Sequence, residues 1–417
     1  MRYGLLGERL SHSFSKEIHE SLGKYKYELI EVAREDLDEF MEKKEFDGLN
    51  VTIPYKELVM PYLDHISTNA KAIGAVNTII NKDGKLYGYN TDYYGLKDLI
   101  EKAHIIIKNK TVLILGTGGT KKTADRVVRE LGAKKIYIAS RKTTTQYVSY
   151  KDIYNYQDVN VIINTTPKEM YPTIYDQILD INKFQNLTAV VDVIYNPLHT
   201  NICLDAKARG ITYCNGLFML VSQAAYAYDL FTDEVLDVRA IERLFIQMFK
   251  KKENICLIGM PSCGKTTLGK MISEKLGREF YDIDTLIEQR VGMKIYDYFK
   301  HHTEDEFRIV ERKIIREVSL KQGCVISTGG GVITNEDNIK ALKHNSKLFF
   351  IDRSLKNLIA SDTRPLSSTR DKLEELYNKR LPLYKKYADK IIDGDLSLDE
   401  KVELIGGYYE ATNREWS

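Results

Sequence analysis

Residues Asn254–Thr266 read NICLIGMPSCGKT: an apolar run, Asn254–Ile258, followed by Gly259-Met-Pro-Ser-Cys-Gly264-Lys265-Thr266. The second part is G-x-x-x-x-G-K-T, and the residues after it, Thr267–Leu276, read as a helix. A strand passing through a glycine loop into a helix lets backbone N–H groups turn inward on phosphate oxygens. In that setting Gly259, Pro261, Ser262, Cys263, Gly264 and Thr267 cradle ATP, Lys265 adds a point charge, and the Thr266 hydroxyl meets Mg²⁺. Cys263 is read as a small filler in preference to a low-pKa thiol at a helix N-terminus, and has no further role.

Working outward, similar Val- and Ile-rich runs recur on both sides. Thr111–Leu115, Lys135–Ala139, Val159–Asn164 and Ala189–Tyr195 precede the loop; Cys324–Ser327 and Lys347–Asp352 follow it. Each gap has room for a crossover helix, so two doubly wound α/β units in tandem, each on a parallel sheet, are expected. Apolar residues Val238, Ile241, Leu244, Phe245 and Met248 predict a helix over Glu234–Lys252, a short stiff linker and a boundary near Glu253. A length of 417 residues also exceeds what one core usually serves. Net charge of +2, with Lys250–Lys252 the one basic run, leaves no footprint for nucleic acid or an anionic membrane. Cys203, Cys214, Cys256, Cys263 and Cys324 form no C-x-x-C pair, which argues against a zinc site or disulfide framework. The opening MRYGLLGERLSHS is too short an apolar run for a signal peptide, and no stretch approaches a membrane span; reduced cytoplasm is the expected location. Oligomeric state has no signal here.

A second glycine turn, Leu115-Gly116-Thr-Gly118-Gly119-Thr, follows the run Thr111–Leu115 and leads into a helix containing Ala124. It suits a dinucleotide pyrophosphate, although about one G-x-G-G in three is, on its own, only a turn. An NAD site places Asp or Glu at the end of the next strand, to bond the ribose. Here stand Ser140, Arg141 and Lys142, a cationic pair that favours a 2′-phosphate unless it simply faces solvent. The first hundred residues carry polar loops: Ser13 and Ser15, then Asn50-Val-Thr52-Ile-Pro54-Tyr-Lys56, Asn77-Thr78 and Asn90-Thr91-Asp92. They make a polyhydroxyl-binding set with an acid/base pair, though each loop alone reads as turn or cap chemistry.

Taken together, S-x-S, N-V-T-x-P-x-K, G-A-V-N-T, N-T-D, G-x-G-G, N-T-T-P, D-x-x-Y-x-P and the helix start Gly216…Gln223 resemble the shikimate dehydrogenase family over about residues 1–247. The resemblance implies a substrate domain over 1–100, completed by helices at about 217–247, and a Rossmann-type NADP domain over 101–216. Ser13, Ser15, Thr52, Asn77 and Gln223 would surround shikimate, with Tyr195 nearby and Lys56 and Asp92 as the catalytic pair. Gly116, Gly118, Gly119, Ser140, Arg141, Lys142, Asn164, Thr165, Thr166 and Gly216 would face NADP(H). Two departures stand out. Ser140 replaces a usual Asn, and Phe218 puts a ring where the family often has glycine, with consequences for access if it lies near the nicotinamide.

Beyond the P-loop lie Asp282 and Asp284, Phe307-Arg308 with Glu311, Gly329-Gly330-Gly331, Arg364-Pro-Leu and Arg380 in RLPLY. Singly they read as a cap, an ion pair, a turn and solvated arginines. In this order they resemble the shikimate kinase family from about Asn254 to Asp389, within a domain over 254–417. The resemblance implies Asp284, Arg308, Gly330, Gly331 and Arg380 around shikimate, since paired guanidinium forks suit a carboxylate. Asp282 would support Mg²⁺, and Arg364 would join Lys265 in catalysis from a mobile lid whose RPLSSTRDK departs from the usual R-P-L-L. The function implied is bifunctional: 3-dehydroshikimate is reduced to shikimate with NADPH, and shikimate is phosphorylated to shikimate 3-phosphate with Mg·ATP. The alternatives are a quinate/shikimate-type dehydrogenase fused to a small-molecule kinase, and a metabolite sensor with one inactive site.

Overall fold

The computed structural model describes residues 2–10, 14–23, 25–141, 144–360 and 368–410. Contacts divide the chain into one unit of Met1–Asn196 with Asp205–Met248, and another of Pro197–Leu204 with Phe249–Ser417. Pro197–Leu204, which the sequence reading placed in the NADP domain, groups with the second unit, where His199 N donates to His344 O (2.8 Å).

The first unit holds two six-stranded sheets. One runs in the order Tyr27–Glu31, Tyr3–Gly7, Gly48–Val51, Thr78–Lys82, Lys85–Tyr89, His65–Ile66. Its first three strands are parallel, and Thr78–Lys82 enters antiparallel beside Gly48–Val51 with Asn50 opposite Thr78. The hairpin to Lys85–Tyr89 turns at Asp83-Gly84, both at positive φ, as a tight hairpin turn requires. The helix Leu217–Thr232 belongs to this sheet's core, where Phe231 packs with Tyr3, Leu5 and Tyr27, and Tyr3 OH donates to Phe231 O (3.0 Å).

The other sheet is parallel throughout: Thr212–Cys214, Ala189–Asp192, Val161–Asn164, Thr111–Leu115, Lys135–Ser140, Val148–Ser149. The strand order is doubly wound as expected, but the expectation of a crossover helix in every gap needs a correction here. Between Lys135–Ser140 and Val161–Asn164 the described chain makes only a two-residue strand and the 3-10 turn Ile153–Asn155; before Ala189–Asp192 it makes only the 3-10 turn Ile181–Lys183. The first connection is rich in Thr, Tyr, Asn and Asp without helical periodicity, and the second contains Pro167 and Pro172, so neither can sustain a buried helical face. Boundaries shift as well. The runs predicted over Val159–Asn164 and Ala189–Tyr195 contract to Val161–Asn164 and Ala189–Asp192, and the linking helix starts at Val238, not Glu234.

In the second unit five parallel strands lie in the order Phe280–Asp282, Val325–Ser327, Asn254–Ile258, Ser346–Asp352, Lys390–Asp393. Asn254–Ile258 is central and buried throughout, as its apolar sequence demands. The strand before the glycine triplet lies next to it, which brings Gly329–Gly331 beside the P-loop.

Glu253, where that central strand begins, is buried. Its Oε2 accepts from Tyr409 OH (2.7 Å), while Arg278 donates to its backbone carbonyl (2.7 Å). Burial pushes its carboxyl from 4.5 up to about 7. A carboxyl that binds its proton more tightly folded than unfolded loses stability as pH rises from about 4.5 to about 7, with no further loss above that. Glu253→Gln should therefore stabilise the second unit at pH 8 by on the order of 1–3 kcal/mol and leave it little changed near pH 5. Calorimetry at both pH values checks this; an equal gain at both contradicts it.

Candidate active sites

Two clusters of chemistry-bearing side chains form, one in each unit. In the first, Asn90 caps the helix Thr91–Lys102: its Oδ1 accepts from Tyr93 N (3.2 Å) and its Nδ2 donates to Ala75 O (2.9 Å). Asp92 therefore stands in a helix first turn, where the backbone dipoles favour a carboxylate. Lys56 reaches it from the loop after Gly48–Val51, Nζ to Oδ2 at 2.5 Å, both side chains mostly enclosed. Around the pair lie buried Asn77 and Gln223, which share Thr91: Asn77 Nδ2 donates to Thr91 Oγ1 (3.0 Å), and Thr91 Oγ1 donates to Gln223 Oε1 (3.4 Å). Ser15 opens the helix Ser15–Ser21, and the ring of its neighbour Phe14 lies 5.2 Å from that of Tyr195. Thr52 N donates to Leu6 O (2.9 Å), placing its half-buried side chain at the end of the same sheet. Ser13 lies outside the described residues.

The glycine turn leads into the helix Gly119–Glu130 as expected. A Cβ at Gly118 or Gly119 would meet nothing within 4 Å, so open space stands over the helix's unpaired N–H groups. Asn164 behaves differently from expectation. Its side chain is fully buried, with Nδ2 donating to Asp192 Oδ1 (3.0 Å) and Oδ1 accepting from Thr166 N (3.0 Å) and Oγ1 (2.8 Å). It shapes the loop that presents Thr165 and Thr166, which stand beside Gly116. Gly216, another expected cofactor residue, precedes the helix Leu217–Thr232 with its N–H donating to Ile194 O (2.8 Å). Ser140 is buried at the strand end, Arg141 is exposed, and Lys142 lies outside the described residues. Phe218 turns into the core, edge-on to Phe245 at 5.3 Å, with the Lys102 ammonium 5.0 Å over its ring. Its bulk is absorbed there.

In the second unit Lys265 is buried, and its ammonium donates to Gly259 O (2.9 Å) and Met260 O (3.0 Å), with Cys263 Sγ at 3.6 Å. Pro261 lies against Gly330, Ser262 Oγ donates to Ile359 O (2.7 Å), and Thr267 lies in the first turn of the helix Lys265–Leu276, which Gly264 caps. Thr266 Oγ1 donates to Asp282 Oδ2 (2.7 Å), and Asp282 Oδ1 accepts from Thr285 N (3.0 Å). One carboxylate thus both caps a helix and faces the loop hydroxyl. Asp284 is exposed as a residue, yet desolvation by the surrounding protein, aided by Asp282 and Glu311, pushes its carboxyl up to about 6 against the pull of Lys265. Arg308 bridges Glu311 (2.9 Å) and Glu304 (2.7 Å). Arg380 Nη1 and Tyr384 OH both donate to Gly330 O, at 3.1 and 2.5 Å. Side chains at Gly329 or Gly331 would strike Asp284 Oδ1 or the Arg308 guanidinium, so the glycines are what let both groups approach the turn. Arg364 lies outside the described residues.

Against known proteins, the family model described as shikimate kinase matches residues 261–405, and that of the shikimate dehydrogenase substrate-binding domain matches residues 5–79. A shikimate dehydrogenase (NADP(+)) of Clostridium beijerinckii is 39% identical over 260 residues, 58% of this chain and 96% of the relative. The chain belongs to the shikimate dehydrogenase family. Among solved structures, a chorismate mutase/shikimate 5-dehydrogenase fusion protein from Clostridium acetobutylicum matches at 37% identity and TM-score 0.57, covering 60% of this chain and 97% of that one. Shikimate 5-dehydrogenase from Thermus thermophilus, in complex with NADP(H) and shikimate, matches at 29% identity and TM-score 0.53, covering 59% and 98%. The family's sequence thus occupies the first three-fifths of the chain, and a shikimate kinase domain follows it, making a bifunctional enzyme of shikimate metabolism.

NADP, ATP and Mg²⁺ are the groups these families imply, and the residues present fit them. Open space over a helix N-terminus and a cationic strand end without an acid suit the first. A buried lysine held on the loop carbonyls and the Thr266–Asp282 pair suit the others. Among the described residues no group of three His, Cys, Asp or Glu could hold a metal ion by itself, and Mg²⁺ that arrives with phosphates needs none. No described helix is long and apolar enough to cross a membrane. Sequence reasoning assigned no role to Glu311, Tyr384 or Asp192. All three lie in motifs quoted above; the Arg308–Glu311 ion pair was legible as an i,i+3 pair, whereas the bonds of Tyr384 to Gly330 O and of Asn164 to Asp192 show only in the fold.

With its carboxyl near 6, Asp284 ionises just below neutrality. Phosphorylation kcat/KM should fall roughly tenfold per pH unit below that point if Asp284 must accept a proton. Asp284→Asn should abolish that limb together with most of the activity. A flat wild-type profile down to pH 5 contradicts the assignment.

Proposed function

We propose that the first unit reduces 3-dehydroshikimate to shikimate with NADPH and that the second phosphorylates shikimate with Mg·ATP to shikimate 3-phosphate. The observation that carries the first half is the enclosed Lys56–Asp92 pair at 2.5 Å, flanked by Asn77 and Gln223. NADPH, when bound, supplies the hydride. The chain's part is to hold the ring and deliver a proton: Lys56 Nζ stabilises the developing alkoxide and donates to it, while Asp92 keeps the ammonium oriented. Ser15, Thr52, Asn77, Gln223 and Tyr195 hold the hydroxyls and carboxylate, joined in this reading by Ser13.

In the second unit Asp284 accepts the proton of the attacking hydroxyl, and Arg308 and Arg380 take the carboxylate beside Gly330 and Gly331. Mg·ATP supplies the phosphoryl group. Thr266 and Asp282 would hold the metal that comes with the nucleotide, and Lys265, now on its loop carbonyls, would pair with phosphate oxygens. Arg364 adds charge from the lid. In this reading the substrate domain is 1–100 completed by 217–247, the NADP domain 101–216 and the kinase domain 254–417, in a cytoplasmic enzyme. Two separate sites would explain why each unit carries its own acid/base group.

Lys56→Ala should lower reductase kcat by about 10²–10⁴-fold and leave phosphorylation intact, and Lys265→Ala should do the reverse. Steady-state assays of each activity on both variants, with shikimate and quinate compared as substrates, check this. Loss of both activities from one folded variant, or preference for quinate, contradicts it.

A further inference from the structure

The two arginines of the phosphorylation site are not equivalent, and the acids around them account for the difference. Arg308 lies against Gly331, and each of its terminal nitrogens is taken by a glutamate. Nη1 pairs with Glu311 Oε2 (2.9 Å) and Nη2 with Glu304 Oε1 (2.7 Å). Arg380, from the helix Arg370–Tyr387, is 5% exposed. Its Nη1 donates to Gly330 O (3.1 Å), a neutral acceptor, and its Nε is buried with no partner. Among the described residues no carboxylate forms an ion pair with Arg380. Burial by itself lowers the pKa of both guanidinium groups; at Arg308 the two glutamates outweigh it and the value is raised, whereas at Arg380 it is lowered. Two guanidinium groups and two carboxylates cancel, so the arginines as a set bring the site no net charge.

The glutamates differ in what their release would cost. Glu311 is 1% exposed, and without Arg308 it would be a buried charge with no counter-ion. Glu304 is 48% exposed and opens the helix Glu304–Ser319, whose first turn is fixed by the capping box of Thr303 and Glu306. Away from Arg308 it would stand in water at a helix N-terminus, where backbone dipoles favour its charge, so leaving costs little. We propose that Arg380 is the charge that anchors the substrate carboxylate, and that Glu304 is a built-in rival for Arg308 whose charge opposes that carboxylate. Glu304 is then a specificity-determining residue: it sets how far the site prefers an acid to its uncharged ester. This rests on the reading that Arg308 and Arg380 take the carboxylate of shikimate. A penalty that falls equally on the bound acid and on its transition state raises KM and leaves kcat alone.

The test is steady-state phosphorylation by the full chain at saturating Mg·ATP, with shikimate and with its methyl ester, in the wild type and in Glu304→Gln and Arg380→Met. Glutamine keeps an oxygen that accepts from Arg308 Nη2, so Glu304→Gln removes the charge and spares the hydrogen bond. It should lower KM for shikimate by about three- to fivefold, the weight of an exposed ion pair. KM for the methyl ester, KM for ATP, kcat to within about twofold and the reductase activity should be unchanged. Arg380→Met should raise KM for shikimate by about tenfold or more, and for the ester by less. A rise in KM for shikimate in Glu304→Gln would mean that Glu304 only holds Arg308 in place; the inference fails and the substrate reading stands. No change, or an equal fall for acid and ester, overturns the inference as well. If Arg380→Met folds, as its reductase activity and melting curve report, and leaves KM for shikimate unchanged, the carboxylate reading falls with it. Glu304 is exposed, so Glu304→Gln decides the rivalry even if Arg380→Met does not fold.

Discussion

A parallel strand followed by a helix delivers that helix's N-terminus to the carboxyl edge of its sheet, and the first backbone N–H groups there have no partner within the helix. Both nucleotide loops answer that constraint. Thr111–Leu115 leads through Gly116–Gly119 into one helix, and Asn254–Ile258 leads through Gly259–Gly264 into another. The carboxylates of both sites follow the same rule on a smaller scale. Asp92 sits in a helix first turn behind its Asn90 cap, and Asp282 is itself a cap with its second oxygen on Thr266. Acid groups are held where backbone dipoles favour their charge; Lys56 reaches Asp92 from a neighbouring loop, while Lys265 turns back onto the carbonyls of its own loop.

Enclosure then tunes what those groups can do. Asp284 is raised to about 6 by desolvation and neighbouring acids, which suits the proton-accepting role proposed for it. Glu253 is raised for a different reason, full burial at the start of the central strand, and touches no candidate substrate group. The contrast separates an exposed carboxyl beside the P-loop from a buried one that costs the fold stability at neutral pH.

The parts of the fold written in local pattern were legible in the sequence. The strand runs Thr111–Leu115 and Asn254–Ile258 lie where their apolar residues predict, because central parallel strands are buried on both faces. Two of the crossover helices expected in the NADP half, those before Val161–Asn164 and before Ala189–Asp192, are absent among the described residues because spacing alone does not make a helix, and the Pro167 to Pro172 segment has no apolar periodicity to pack. The first sheet was visible only through its loop motifs. Its strands are short and mixed in direction, and its buried Asn50 and Thr78 look in sequence like ordinary turn residues. Asn164 was read as facing the cofactor, and only its bond to Asp192, 28 residues away in sequence, reveals that it works inward.

The two units share a molecule in chemistry, the product of the proposed reduction being the acceptor in the proposed phosphorylation. The most direct measurement supplies the whole chain with 3-dehydroshikimate, NADPH and Mg·ATP and follows both nucleotides together with free shikimate. The account predicts that NADPH oxidation begins first, that ATP consumption depends on it, and that the two totals agree one to one when 3-dehydroshikimate is exhausted. ATP consumed without prior NADPH oxidation, or shikimate accumulating with no ATP consumed, would contradict it.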